Sequence, residues 1–431
     1  LGQAAAYGLA ALVCFIADAA QDGALGWSWV VLASLMTAAS LTLTPTLAPE
    51  RLGGVCTLGA FTLALELLLG VCCAYVGGDW FFVAGMSVLF GLGLLFLPYV
   101  LSYYLETTQD MDILDVSVAY LADRPLAEGQ RDLYDRMEPG EAAEPLYGHC
   151  MRAIRSAARF GPHGLPYMEG GDWNDGMDTV GIEGRGESVW LAWFFAHTAR
   201  RFAAVLDRQG DRHGAAALLS AASRMGRAAD RAWDGAWYLR GWFDSGAPLG
   251  SAKGRGCRID SLAQSWAAMC AEASPERVQK ALDSALERLF DRETGLVKLF
   301  DPPFGDGAER AGYISSYGPG FRENGGQYTH GAIWLAMACL RTGRREEGLA
   351  LIRALLPGRS VEYGAEPFVL AADVYSNPDR LGQAGWSWYT GSAGWYFRVV
   401  TRELLGLSIR DGKLYAEPRV PEGWGFKAGL E

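Results

Sequence analysis

The sequence predicts an all-α chain in two parts: four transmembrane helices over residues 1–104, then a toroid of paired helices over 105–431 that ends in a short β hairpin. Three observations predict it. Four apolar runs follow one another before residue 105, with few charges inside them. Beyond that point, eight stretches carry apolar residues at helical spacing. Between some of them lie long loops rich in glycine, proline and aromatics (161–186, 293–326 and 375–391), and loops of that length usually carry function.

The apolar runs cover about 3–20, 27–46, 54–78 and 81–104. Crossing ~30 Å of hydrocarbon takes about 20 helical residues, which these runs reach or approach. Their charges, Asp18, Asp22, Glu50, Arg51, Glu66 and Asp79, fall mostly between runs. Trp27, Trp29, Trp80, Tyr103 and Tyr104 mark run edges, as interfacial aromatics do. A buried helical core is the alternative reading. Four runs in succession favour a membrane bundle, and one signal peptide does not account for them. Glu66, inside the third run, is expected to face other helices or a cavity. Arg51 is the basic residue of the short loops, which puts the C-terminal part in the cytoplasm, tethered to the membrane through 1–104.

A net charge of −11 offers no basic stripe for a phosphate backbone, so a nucleic-acid partner is not expected. The 15 tryptophans fit sugar stacking, although a large core also uses them. The eight cysteines show no C-x-x-C pair and no spacing with histidine that suggests a metal site; buried, reduced thiols are expected.

The helical stretches run 145–160, 187–209, 213–233, 260–273, 274–290, 331–343, 345–356 and 392–407. Ser274, Pro275 and Glu276 form a strong helix start. The tail from 407 alternates and carries the Asp-Gly turn of a hairpin.

Three loops carry candidate chemistry. "GGDWNDGMD" (170–178) holds Asp172, Asp175 and Asp178 around Trp173. Glycosyl transfer needs a carboxylic acid to protonate the departing oxygen, and clustered acids raise one another's proton affinity. A calcium loop or helix caps remain alternatives. "SSYGPGFRENGGQYTH" (315–330) holds Arg322 and Glu323 before Gly325 and Gly326, and His330 opens a helix, a place that suits an anion. A glycine-rich turn with a capping histidine explains it equally. In "GWSWYTGSAGW" (385–395), Thr390, Gly391 and Ser392 precede a helix and suit phosphate oxygens, or an ordinary N-cap.

With "CRIDSLAQSW" and "EPFVLAADVYS", these stretches resemble the catalytic domain of glycoside hydrolase family 94, from about Leu97 to the C-terminus. That family contains inverting phosphorylases of cellobiose, chitobiose and β-1,2-glucans, and the C-terminal domain of cyclic β-1,2-glucan synthases. The resemblance implies an (α/α)6 toroid with Asp175 as general acid and Trp173 lining the sugar subsite. Arg322 and Glu323 would bind substrate; His330, Thr390 and Gly391 would hold inorganic phosphate, the co-substrate, with no other cofactor. The product would be α-glucose 1-phosphate. "AADVYS" resembles the β-1,2-glucan branch more than the cellobiose branch, which tends to carry a glutamine there. Family members have a β-sandwich and further barrel helices ahead of the matched region. The toroid therefore reads as incomplete, and its open apolar flanks point to aggregation or a homodimer. Two other readings stay open: an inverting hydrolase with Glu323 activating water, and an inactive sugar-binding remnant.

Overall fold

The computed structural model describes residues 95–122, 137–357, 363–388, 390–410 and 412–425. Among the described residues, five inner helices form a ring: α1 (Phe96–Thr108), α3 (Val189–Arg208), α5 (Ser261–Ala267), α7 (Thr329–Arg341) and α9 (Thr390–Arg398). The intervening helices back them. α2 (Leu146–Ala157) lies on α1 and α3, α4 (Arg212–Arg231) on α3, α6 (Pro275–Leu289) on α5, and α8 (Arg345–Ala354) on α7.

Burial separates the two layers. All of α5 is buried, as is most of α3 and α7, whereas α4 and α6 bury only one stripe. That is the difference between a helix enclosed on all sides and one facing water. Local chemistry starts them: Ser188 Oγ accepts from Leu191 N (3.0 Å), Asp260 Oδ1 from Leu262 N (2.7 Å), and Ser274 caps α6 with Pro275 behind it.

The inner helices run parallel. Phe96 meets Phe194 (ring centroids 4.7 Å apart) and, one to two turns on, Arg201 lies over the Tyr103 ring (3.7 Å). Trp395 meets Trp334 (5.4 Å), and Glu403 binds the terminal Arg341 of α7 (2.5 Å). The ring axis is filled by aromatics from every inner helix. Trp190 stacks on Trp334 (6.0 Å, 14°), and Trp266 meets Trp334 edge-on (5.1 Å). Tyr99 lies 6.2 Å from both Trp266 and Trp395, which closes α1 onto α9.

Short strands stitch the loops before the inner helices. β3 (Glu187–Ser188), β4 (Gly241–Trp242) and β5 (Pro248–Leu249) form one antiparallel sheet. β6 (Ile259–Asp260) pairs with β7 (Phe300–Asp301), while β8 (Gln327–Tyr328), β9 (Asp373–Val374) and β10 (Ala384–Gly385) form a third group. Ahead of them, β1 (Ser117–Leu121) pairs with β2 (Pro139–Pro145). The C-terminal hairpin joins β11 (Leu407–Arg410) to β12 (Lys413–Ala416).

The expected four-helix transmembrane segment is not upheld. Among the described residues no helix is long and apolar enough to cross a membrane. The first three apolar runs and the start of the fourth lie outside the described residues. The rest of the fourth run is α1, whose Tyr99, Leu101 and Leu105 are buried in the ring. At 13 residues it is roughly 20 Å long, short of the ~30 Å a bilayer requires. An inner helix that buries an apolar face in the ring and still carries exposed apolar residues such as Val100 writes the same apolar signal as a span, and this accounts for the misreading of the fourth run. Tyr103, expected at a membrane interface, instead faces the guanidiniums of Arg201 and Arg398.

The filled axis predicts a large packing cost. Trp266→Ala is expected to destabilise the chain by about 3–5 kcal/mol in denaturant unfolding. A loss below about 1 kcal/mol would show that the axis relaxes around the hole.

Candidate active site

The 170–178 loop treats its three acids differently. Asp172 is fully buried. It accepts from both terminal nitrogens of Arg240 (2.5 and 2.6 Å), from Ser188 Oγ (2.6 Å) and from Asn174 N (3.0 Å). Asn174 Oδ1 then accepts from Gly176 N (3.1 Å), opening the 3-10 turn Asp175–Met177. Asp178 Oδ1 accepts from Tyr313 N (2.9 Å). Gly312 beside it is left-handed (φ 137°), and a Cβ there would lie 2.1 Å from that same oxygen. With its neighbours committed to the loop, Asp175 is the acid that faces solvent.

Arg240 carries this anchoring further. Its Nε lies 3.4 Å from Asp260 Oδ2, the cap of α5. Burial works against its charge, yet Asp172 and Asp260 raise its proton affinity above the ordinary range. Burial pushes Asp260 up to about 6 against the pull of Arg240.

The second constellation meets the first through β8 and β9. Tyr328 pairs with Asp373, which brings Arg322, Glu323 and Asp373 together. Arg322 Nε lies 3.6 Å from Glu323 Oε2 and 3.9 Å from Asp373 Oδ2. The Asp373 side chain has no solvent exposure. Among the described residues neither of its oxygens has a hydrogen-bond partner, nor does Glu323 Oε2. Buried acceptors of this kind await a donor, and sugar hydroxyls supply one. Burial pushes Glu323 up to about 7 against the pull of Arg322, with Asp373 and Asp175 adding to the rise. Burial likewise pushes Asp373 up to about 6. The Tyr313 phenol is raised by burial and by Asp175, to which it hydrogen-bonds; Tyr328 is raised by burial and Glu323.

Arg322 is sandwiched between Tyr317 (5.3 Å) and Trp386 (4.9 Å). Arg322 and Trp386 both adopt left-handed φ, 49° and 51°. Such conformations cost about 1–3 kcal/mol each in non-glycine residues and gather at ligand clamps. Gly325 and Gly326 serve the chain itself rather than an approaching ligand. A Cβ would meet Pro303 Cγ at 2.5 Å in the first and Arg322 O at 2.4 Å in the second.

Trp173 bridges the acid loop to α7, with its ring 5.2 Å from both Tyr328 and His330 and 5.3 Å from Trp334. His330 is the second residue of α7. Burial holds its imidazole down to about 3, so it stays neutral at ordinary pH, and its Nε2 has no partner among the described residues. It can therefore hydrogen-bond an anion but adds no charge. Thr390 and Gly391 open α9. One turn on from Gly391, on the same helix face, Trp395 meets the His330 ring at 5.4 Å. Asp373, Tyr313, Tyr317, Tyr328 and Arg240 were not among the sequence candidates, although "AADVYS" contains the first of them. Among the described residues, no group of three or more His, Cys, Asp or Glu is arranged to hold a metal ion.

Residues 93–406 match the model of the glycosyl hydrolase 94 superfamily, catalytic domain. The chain belongs to this family. Its described part is a carbohydrate-active enzyme domain, and the match begins just before α1. The family 94 domain is similar to the cyclic beta-(1,2)-glucan synthase NdvB of Rhizobium meliloti (strain 1021), with 39% identity over 80% of this chain and 12% of that protein. It is also similar to solabiose phosphorylase of Paenibacillus borealis (30% identity; 77% of this chain, 42% of that one). Cellobionic acid phosphorylase of Neurospora crassa is 28% identical over 77% of this chain and 41% of its own length. The family 94 domain thus occurs here in a chain that spans less than half of each of these relatives.

Two outcomes are expected. Asp172→Ala leaves the Arg240 charge buried without its main partner and should cost about 3–5 kcal/mol, read by urea unfolding. Glu323 is raised from 4.5 to about 7 on folding, so its contribution to stability is full below about pH 4.5 and lost as pH rises through 7. Glu323→Gln should therefore raise Tm above pH 7, by up to about 3 kcal/mol in stability, with no gain near pH 4. An equal gain at both pH values would argue against a buried, raised carboxyl.

Proposed function

We propose that this domain catalyses inverting phosphorolysis of a β-linked glucoside, with Asp175 as the proton donor. The observation that carries the reading is the exposure of Asp175, whose carboxyl meets the Tyr313 phenol at the edge of the site. Asp172 and Asp178 are bound to the protein, while Asp175 faces the Glu323–Asp373–Arg322 cluster with its carboxyl accessible. The protonated carboxyl of Asp175 gives its proton to the glycosidic oxygen as the bond to the anomeric carbon breaks. A phosphate oxygen forms the new bond from the opposite face, and the products are an α-sugar 1-phosphate and a shortened sugar. Phosphate is already a nucleophile, so no base is required.

Glu323 and Asp373 accept hydrogen bonds from the donor sugar, and Trp173 forms its platform. The neutral His330 and the backbone at Thr390–Gly391 hold phosphate. β-1,2-Linked glucan is the favoured substrate, supported by the 39% identity to a cyclic β-1,2-glucan synthase and by "AADVYS" at 371–376. The relatives named as phosphorylases support phosphate as acceptor.

A second reading has one observation behind it. A carboxyl raised to about 7 is well matched to a general base, so Glu323 would suit activation of water.

Sugar 1-phosphate release from β-1,2-glucan is expected to fall by about 10²–10⁴-fold in Asp175→Asn, the range for loss of general acid catalysis. Equal release by both proteins sinks the assignment. Omitting phosphate should stop cleavage; continued release of free sugar without phosphate selects the hydrolase.

A further inference from the structure

The far mouth of the ring holds a second cluster of charge, unconnected to the acid site. α3 and α7 run from the site at their N-terminal ends to Arg201 and Arg341, each twelve residues further on and about 18 Å away. Here a cavity of about 130 Å³ opens between α1, α3, the Val399–Leu404 segment and β11. Room for one water takes only ~10–15 Å³.

Its lining is cationic in a chain whose net charge is −11. Arg201, Arg341, Arg402, Arg410 and Arg419 face three glutamates, and Arg398 borders the cavity against Tyr103 (4.1 Å). The glutamates are shared out. Glu403 binds both Arg341 (2.5 Å) and Arg419 (3.2 Å), and Glu106 binds Arg201 (2.7 Å) and Arg402 (3.6 Å). Glu417 lies 3.7 Å from Arg410. Six guanidiniums therefore meet three carboxylates.

Three of the guanidiniums crowd one phenol ring, with Arg201, Arg398 and Arg402 at 3.7, 4.1 and 4.9 Å from the Tyr103 centroid. Burial pushes that phenol up, yet Arg398, Arg201, Arg341 and Arg402 outweigh it and hold it below the usual tyrosine range. Among the described residues the Nε atoms of Arg201 and Arg398 and the Oγ of Ser408 have no hydrogen-bond partner. Helix ends account for only part of this cluster. Arg341, Arg398 and Arg402 lie in the last turns of their helical segments, but Arg201 sits two turns short of the end of α3, where the dipole no longer acts, and Arg410 and Arg419 lie outside any helix.

We infer that this distal cavity is a binding site for a phosphate group, held by the forks of Arg201, Arg402 and Arg410 and by the Ser408 hydroxyl. A phosphate dianion offsets most of the local surplus, and its oxygens match guanidinium geometry. The inference does not rest on the proposed phosphorolysis, because the site lies at the opposite end of the inner helices.

Phenylglyoxal labelling of the full chain, read by mass spectrometry, tests it. Inorganic phosphate should protect Arg402 and Arg410 relative to chloride of equal ionic strength, and glucose 1-phosphate forms a second arm. Protection by inorganic phosphate assigns free phosphate; protection by glucose 1-phosphate alone assigns a phosphate monoester; labelling unchanged in both arms overturns the site. In His330→Ala, equilibrium dialysis should still detect phosphate, and adding Arg402→Gln should weaken it at least about tenfold, the loss of one charge-assisted hydrogen bond. A folded Arg402→Gln chain with unaltered binding also overturns it. The labelling arm, run on the unmutated chain, stands if the variant does not fold.

Discussion

Arg240 has no exposure to solvent, so its charge must be met inside the protein or the fold is lost. It is met by two carboxylates from different places: Asp172, at the head of the acid loop, and Asp260, the cap of α5. Ser188, which caps α3, shares an oxygen of Asp172. One guanidinium therefore fixes the acid loop against the starts of two neighbouring inner helices. Asp175 can stand exposed three residues later because its loop has no freedom at its base. The position of Asp175 is inherited from this buried contact.

The parallel course of the inner helices sets the electrostatics of each mouth. Their N-terminal ends gather where the acid loop, the Arg322–Glu323 segment and Asp373 meet. Partial positive charge at helix starts favours carboxylates close by. That background, with Arg322, lets three acids share a small space, two of them with raised proton affinity. His330 at the start of α7 follows the same logic. Shielded by Trp173, Trp334 and Trp395, it remains neutral and adds no charge of its own to the helix start.

Much of the helical framework was legible because it is local. Apolar spacing over 187–209 became α3, and Ser274 with Pro275 opened α6 as its capping chemistry requires. The 260–273 stretch ends early, at Ala267, since the chain must turn outward before Ser274 restarts a helix. The acid loop and the two glycine-rich loops could be singled out as candidates for the same reason. Asp373 was not. Its partners Arg322 and Glu323 lie some fifty residues away and reach it through paired strands of two residues, too short to leave an alternating pattern. Arg240 was hidden likewise, for nothing near it in sequence announces a buried charge. α1 was misread because apolar periodicity records exclusion from water and does not say whether lipid or protein excludes it.

The aromatic axis has a last consequence. Trp190, Trp266 and Trp334 meet at the centre of the ring with almost no exposure, so the toroid is a cup with a solid floor and not a tunnel. No extended molecule can thread past these three indoles; whatever enters the acid mouth must back out the same way. The two mouths are therefore insulated from each other, joined only by the helices that run between them.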